Sequence, residues 1–194
     1  MNERDNTRGR TGVPSPLVHL MRSLIRRFSV HENVTFGDSF RVGRGCVISS
    51  PHGLTIGNSV SVGPRTIIQV DGEIGDYALI GMGVQIVGRN DHAIDEVGVP
   101  IVYATWAGDR ERRPIDRVVL GRDVWIGGGS VVLSGVEIGE GSIIGSGSVV
   151  TKDIPPFSVA VGNPARVVRA RFDSTDDETR HSAALDELGR ASEG

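Results

Sequence analysis

An aliphatic residue recurs every six positions from Leu120 to Val150: Leu120, Ile126, Val132, Ile138, Ile144 and Val150. Glycine follows four of them, at Gly121, Gly127, Gly139 and Gly145. The same beat runs through Phe36, Val42 and Ile48, then Ile56, Val62, Ile68, Ile74, Ile80 and Ile86, after one two-residue slip between Pro51 and Leu54. A period of six fits neither the 3.6-residue helix nor the two-residue alternation of a simple strand. It predicts an all-β solenoid in which each hexad supplies a short strand and a turn, and three hexads close one coil. Hexads fill roughly residues 36–86 and 120–154, enough for about five coils.

Glycine makes up 27 of the 194 residues, about twice the usual ~7%. It recurs with the hexads, as tight turns require. A net charge of −3 gives no electrostatic case for nucleic acid. Cys46 is the single cysteine, so no intrachain disulfide can form and a reducing compartment is expected. It holds the fifth hexad position, equivalent to Val60, Thr66, Ser130 and Ser142, which predicts a buried structural thiol. No segment reads as a secretory leader or a membrane span, and a cytoplasmic location is the expectation.

Residues 1–14 are polar and predicted to be disordered. A helix is predicted over 15–30, capped by Ser15, with Leu17, Leu20, Met21, Leu24, Ile25 and Phe28 on one face. That face is expected to cover the open first coil, a membrane-surface helix being the alternative because Arg22, Arg26 and Arg27 flank it. The domain proper is expected over 31–172. Residues 88–118 interrupt the rhythm, and a loop of that length inside a compact solenoid points to function. After Pro155 and Pro156 the chain leaves the coil as an extended segment. A tail over 173–194 follows, with a helix from about Asp176 to Leu188 capped by Ser174 or Thr175.

The segment from Val124 to Arg169 contains Trp125-Ile126-Gly127, Thr151-Lys152-Asp153, Pro155-Pro156 and Gly162-Asn163-Pro164-Ala165. In this combination it resembles the hexapeptide-repeat acyltransferases, and among them the galactoside/maltose, polysaccharide and xenobiotic O-acetyltransferases. The resemblance implies a left-handed parallel β-helix, a homotrimer, acetyl-CoA as co-substrate bound in grooves between coils, and a catalytic histidine on an external loop.

Of the five histidines only His92 falls in the interruption. Acetyl transfer from a thioester to a hydroxyl needs a base that is largely neutral near pH 7, which suits histidine. The resemblance makes His92 that base, with Asp91, Asp95 or Glu96 as candidates to orient it. It implies direct attack without an acyl-enzyme, and it places Gly128 at the thioester end of the cofactor, where a backbone N–H could meet the oxyanion. Ser146, Thr151, Lys152, Arg166 and Arg169 are implied along the coenzyme A groove, and Trp125 as a packing residue touching the pantetheine arm. Lys152 is the only lysine beside 20 arginines, which suits a compact ammonium facing phosphate.

Gln85, Asp91, Asp95, Tyr103 and Trp106 are the candidates for acceptor contact. Gly83 stands where the galactoside enzymes carry an asparagine, so the acceptor need not be a galactoside. Arg110, Arg112 and Arg113 read either as a solvated loop tip or as a phosphate- or carboxylate-binding run, the former favoured. The function expected is an acetyl-CoA-dependent O-acetyltransferase acting on a sugar, polysaccharide precursor or small hydroxylated compound. The alternatives are a non-catalytic scaffold and an N-acetyltransferase on an amino sugar. A zinc lyase on the same solenoid lacks a set of histidines at ligand spacing, so no metal is expected.

Overall fold

A computed structural model describes residues 16–192, so the stretch expected to be disordered and the Ser15 cap lie outside the described residues. The first coil is β1 (Val34–Phe36), β2 (Arg41–Val42) and β3 (Val47–Ser49); the second is β4 (Leu54–Ile56), β5 (Ser61–Val62) and β6 (Ile67–Gln69). The third comprises β7 (Asp71–Ile74), β8 (Leu79–Ile80) and β9 (Gln85–Val87). After the loop come β10 (Arg117–Leu120), β11 (Trp125–Ile126) and β12 (Val131–Leu133), then β13 (Val136–Ile138), β14 (Ile143–Ile144) and β15 (Val149–Val150). Each strand pairs in parallel with its counterpart one coil on, building three sheets. The middle sheet reaches seven strands through β16 (Ser158–Gly162) and β17 (Ala165–Ala170), the last antiparallel. Five complete coils result, as the hexads predict, and the terminal hairpin supplies the extended exit.

Every residue of the beat from Leu120 to Val150 is at most 1% exposed. Register stacks like on like: Ile48 on Ile68, Ile86, Val132 and Val150. Each such side chain removed from water contributes roughly 1.5–3 kcal/mol. The fifth positions are buried too, and their polar members are satisfied. Cys46 Sγ donates to Gly63 O (3.0 Å), Thr66 Oγ1 to Gly81 O (2.9 Å), Ser130 Oγ to Gly145 O (3.1 Å) and Ser142 Oγ to Pro155 O (2.7 Å). A small hydroxyl or thiol at the corner thus ties its coil to the next.

Helix α1 (Pro16–Ser29) meets the first coil beside β2. It docks through buried Ser29 and half-buried Ile25, while Leu20, Met21, Leu24 and Phe28 stay exposed, Phe28 at 76%. The stripe therefore covers the first coil only in part: Leu24, Ile25 and Phe28 border a groove with Arg44, Gly45 and Cys46. Ile25 of the stripe and Ser29, one turn on, form the i,i+4 row that docks. Phe40 with Val30, Val34 and Val42 also packs at that end of the core. Helix α2 (Thr175–Ser192) starts as predicted, with Ser174 Oγ accepting the Asp177 N–H, and runs four residues further than Leu188. Arg122 joins it to the solenoid by pairing with Asp186 and Glu140.

The interruption spans β9 to β10 and holds three short 3-10 turns, Ile101–Tyr103, Ala107–Asp109 and Pro114–Asp116. It folds back on the solenoid, and it positions the site.

Candidate functional site

Two lines of backbone place His92. Residues 91–93 run antiparallel to 105–107, with Ala93 N–H donating to Thr105 O (2.9 Å) and Ala107 N–H to Asp91 O (2.7 Å). His92 thus faces Trp106 in a β-bridge, with its side chain about one-third exposed. Its Nδ1 stands 3.7 Å from Asp91 Oδ1, an ion-pair distance but too long for a hydrogen bond. Glu96 is engaged elsewhere, accepting the Thr105 N–H, and Asp95 is exposed. Of the three carboxylates named from sequence, Asp91 alone is close to the ring.

The loop entry is clamped by Arg89. Its backbone N–H donates to Ser134 Oγ, Nε to Ser134 O and Nη2 to Thr151 O (2.8 Å). This joins the segment leading into His92 to the residue before Lys152, across coils four and five. Gly128 and Ser146 stack on one corner of those coils: Gly129 N–H donates to Met82 O and Gly147 N–H to Gly128 O. A Cβ on Gly128 would stand 3.2 Å from Met82 O, so a side chain there crowds the corner. Trp125 projects from the middle sheet, 48% exposed, in register with Ile143; the next strands of that row carry Val159 and then Arg169. Arg166 pairs in register with Val161 on the terminal hairpin. Among the described residues no carboxylate pairs with Lys152, Arg166 or Arg169. Among the described residues the two arginines donate to Ala165 O and Ala170 O.

A cavity of about 330 Å³ lies between the loop and the first three coils, bounded by Glu32, Gln69, Asp71, Asp91, Trp106 and Asp116 among others. It brings together two of the five acceptor candidates, Asp91 and Trp106. Gln85 faces out from β9, Tyr103 is 79% exposed on the loop surface, and neither these nor Asp95 lines the cavity.

The arginine run is solvated only in part: Arg112 and Arg113 are exposed, whereas Arg110 is largely covered. Arg110 makes a two-pronged pair with buried Asp116 and also donates to Asn90 O; Arg113 Nε lies 3.4 Å from the same carboxylate, and Arg112 Nε is 3.5 Å from Asp71. Buried carboxylates inside the fold hold the run, a pattern that a charge run alone does not reveal. The Arg110 hydrogen bonds bring the Asp116 carboxyl down from 3.8 to about 2, against the opposing effect of burial. Because the folded-state value is depressed, the pair stabilises the protein fully above pH ~4, and the contribution fades as pH falls through about 2; its size is about 2 kcal/mol. Asp116→Asn should lose that amount at neutral pH, and its unfolding curves should converge on the wild type's near pH 2.

Asp71 is a second buried carboxylate, 1% exposed. Burial works to raise its pKa, but donations from Ser50 Oγ, from the His52 backbone N–H and ring and from Gly53 N–H outweigh it and hold the group below the usual carboxylate range. Sequence reading passed over both Asp71 and His52. The signal was present: His52 occupies the one slip in the first nine hexads. Among the described residues no cluster of three metal-ligating side chains occurs, and no helix is long and apolar enough to cross a membrane.

Comparison with known proteins agrees with this architecture. Residues 117–152 match the family model described as bacterial transferase hexapeptide (six repeats). A protein of Schizosaccharomyces pombe named as a putative acetyltransferase is 36% identical over 137 residues, which are 71% of this chain and 53% of that protein. The chain therefore spans about half the length of that relative. Among solved structures, AntD, an N-acyltransferase from Bacillus cereus in complex with dTDP and 3-hydroxybutyryl-CoA, superposes with a TM-score of 0.62 at 22% identity, covering 83% of this chain and 85% of AntD. The hexapeptide-repeat-containing acetyltransferase VCA0836 of Vibrio cholerae, complexed with acetyl-coenzyme A, gives 0.53 at 25% identity over 80% of this chain and 79% of its own.

Proposed function

From a chain that is a hexapeptide-repeat protein related in sequence to acetyltransferases, we propose an acetyl-CoA-dependent O-acetyltransferase acting on a sugar, a polysaccharide precursor or another small hydroxylated compound. The observation that carries the reading is the junction made by Arg89, which holds the loop bearing His92 against Thr151, where the cationic stretch that follows coil five begins. The base then stands at the corner that follows β9, β12 and β15, and Gly128 and Ser146 at the corner that precedes β12 and β15, the two edges of one sheet.

In this reading Lys152, Arg166 and Arg169 meet the phosphates of coenzyme A, and Trp125 borders its pantetheine arm. Ser146 and Gly128 line the corner leading to the thioester. The acceptor sits at the Asp91 and Trp106 side of the cavity, next to His92, with the Trp106 ring beneath it and Asp91 accepting a hydrogen bond from a hydroxyl. His92 Nε2 takes the acceptor proton as the oxygen attacks the thioester carbonyl. The tetrahedral oxyanion is met by a backbone N–H at the Gly128 corner, and its collapse expels the thiolate, to which the imidazolium returns the proton. A hydroxyl acceptor needs such a base to take its proton as it attacks. The protein works as a homotrimer in this scheme: Leu79 and Trp125, both about half exposed, share one register row and offer an apolar contact.

The test is a panel of hydroxylated sugars, aminated sugars and small hydroxylated compounds incubated with acetyl-CoA and assayed for free thiol and for acetylated acceptor by mass spectrometry. The expected product carries one acetyl ester. An amide product would move the assignment to N-acetylation. No thiol release, together with no rise in melting temperature when acetyl-CoA is added, would favour the scaffold.

A further inference from the structure

Of the described histidine side chains, His52 alone has both ring nitrogens at hydrogen-bond distance from partners: Nδ1 is 2.8 Å from Asp71 Oδ2, and Nε2 is 2.9 Å from Arg110 O. Both partners are acceptors. A backbone carbonyl has no proton to give, and neither has an ionised carboxylate. Only the doubly protonated ring makes both bonds; a neutral ring keeps one and turns a lone pair toward the other oxygen.

The ring joins two parts of the chain 58 residues apart. On the solenoid side, Asp71 is fixed by Ser50 Oγ (2.5 Å), His52 N–H (2.8 Å) and Gly53 N–H (3.1 Å). On the loop side, Arg110 offers its carbonyl to the ring while its guanidinium grips Asp116 and Asn90 O. The charged groups around His52 are therefore Asp71, Arg112 on the same carboxylate, and the Arg110–Asp116 pair. Asp71 and Asp116 also line the cavity that Asp91 and Trp106 border from the loop.

We propose that the His52–Asp71 pair is a protonation-dependent latch that holds the far side of the loop on the solenoid and so shapes the cavity, making His52 a positioning residue for acceptor binding. The kinetic half of this proposal rests on the acceptor reading given above; the latch itself does not. With the ring doubly protonated the loop is tied down. As pH rises and the ring loses a proton, one of the two bonds is lost, and the Asp71 carboxylate retains the remaining proton more strongly than a carbonyl does. The loop side is thus the side released.

Two conservative variants separate the two bonds. His52→Asn keeps an amide nitrogen near the Nδ1 position and loses reach to Arg110 O, whereas His52→Gln places one near Nε2 and loses Asp71. Losing the loop bond should raise the acceptor KM about tenfold in His52→Asn at pH 6, the effect of one charge-assisted hydrogen bond, with the acetyl-CoA KM within about twofold of wild type. In His52→Gln the acceptor KM should stay within about threefold of the pH 6 wild-type value. The wild-type acceptor KM should climb as pH is raised, and more steeply than in either variant, neither of which can donate to both partners at once. Amide exchange supplies a readout independent of turnover: protection of residues 107–113 should fall in His52→Asn and persist in His52→Gln. A wild-type acceptor KM in His52→Asn, or a pH-independent one in the wild type, would overturn the positioning role. If no acceptor is turned over, the functional reading falls and exchange alone decides the latch. Equal protection in His52→Asn and wild type would then overturn it.

Discussion

His92→Ala should lower acetyl transfer by about 10²–10⁴-fold, the usual contribution of a positioned general base, while leaving the fold and acetyl-CoA affinity unchanged. Among the described residues the side chain makes no hydrogen bond, its Nδ1 standing 3.7 Å from Asp91 Oδ1, so truncating it strands no hydrogen-bond partner. The backbone around it is held by the pairing of 91–93 with 105–107, which alanine preserves. A partly exposed substitution of this kind usually moves stability by no more than about 0.5 kcal/mol. Loss of rate with an unchanged melting temperature would therefore report chemistry. Steady-state turnover of the variant at the wild-type rate would remove His92 from the mechanism. Asp91→Asn should cost far less, since at that distance the carboxylate biases the ring without binding it.

Gly72→Ala should be the most damaging single substitution to the fold. Gly72 sits at φ +136°, a region open essentially to glycine alone, and a Cβ there would overlap Val118 O of the neighbouring strand. Gly72 pairs with Leu54 on one side and Val118 on the other, so its main chain cannot retreat without opening both ladders. Backbone strain and forced separation each cost roughly 1–3 kcal/mol, for a total on the order of 4 kcal/mol. At about 2–4 °C per kcal/mol for a chain of this size, the melting temperature should fall by roughly 8–16 °C. The damage lies at the point where the loop returns to the solenoid, so cavity and latch should be lost with it. A melting temperature within about 2 °C of wild type would contradict this account of the third coil.

The solenoid was legible because its signal is redundant. Each of the fifteen hexads states the same rule, and the residues obeying it, from Ile48 to Val150, are the ones found buried. The loop was legible as an absence of that rule, and His92 stood out as the histidine inside it. What eluded the sequence was set by long-range pairing. Nothing local shows that Arg110, in a run of three arginines, finds Asp116 on one side and offers its carbonyl to His52 on the other. Arg89 likewise reads as one surface charge among 20 arginines, yet it bonds Thr151 across 62 residues. The α1 stripe shows the same limit: helical periodicity finds an apolar face but not which row of it docks. Asp71 illustrates the reverse case, since the slip at Pro51 was visible and its purpose, room for His52 above a buried carboxylate, was not.

The most direct measurement of the central claim, that the last coils and the hairpin after them hold the acyl donor while the interruption carries the base, is calorimetric titration of acetyl-CoA into three proteins. These are the wild type, His92→Ala and the combined Lys152→Ala/Arg166→Ala/Arg169→Ala variant. The account predicts equal affinity for wild type and His92→Ala, and binding weaker by on the order of 10²-fold once three phosphate-facing cations are gone. Wild-type affinity in the triple variant, or no binding in any of the three, would contradict it.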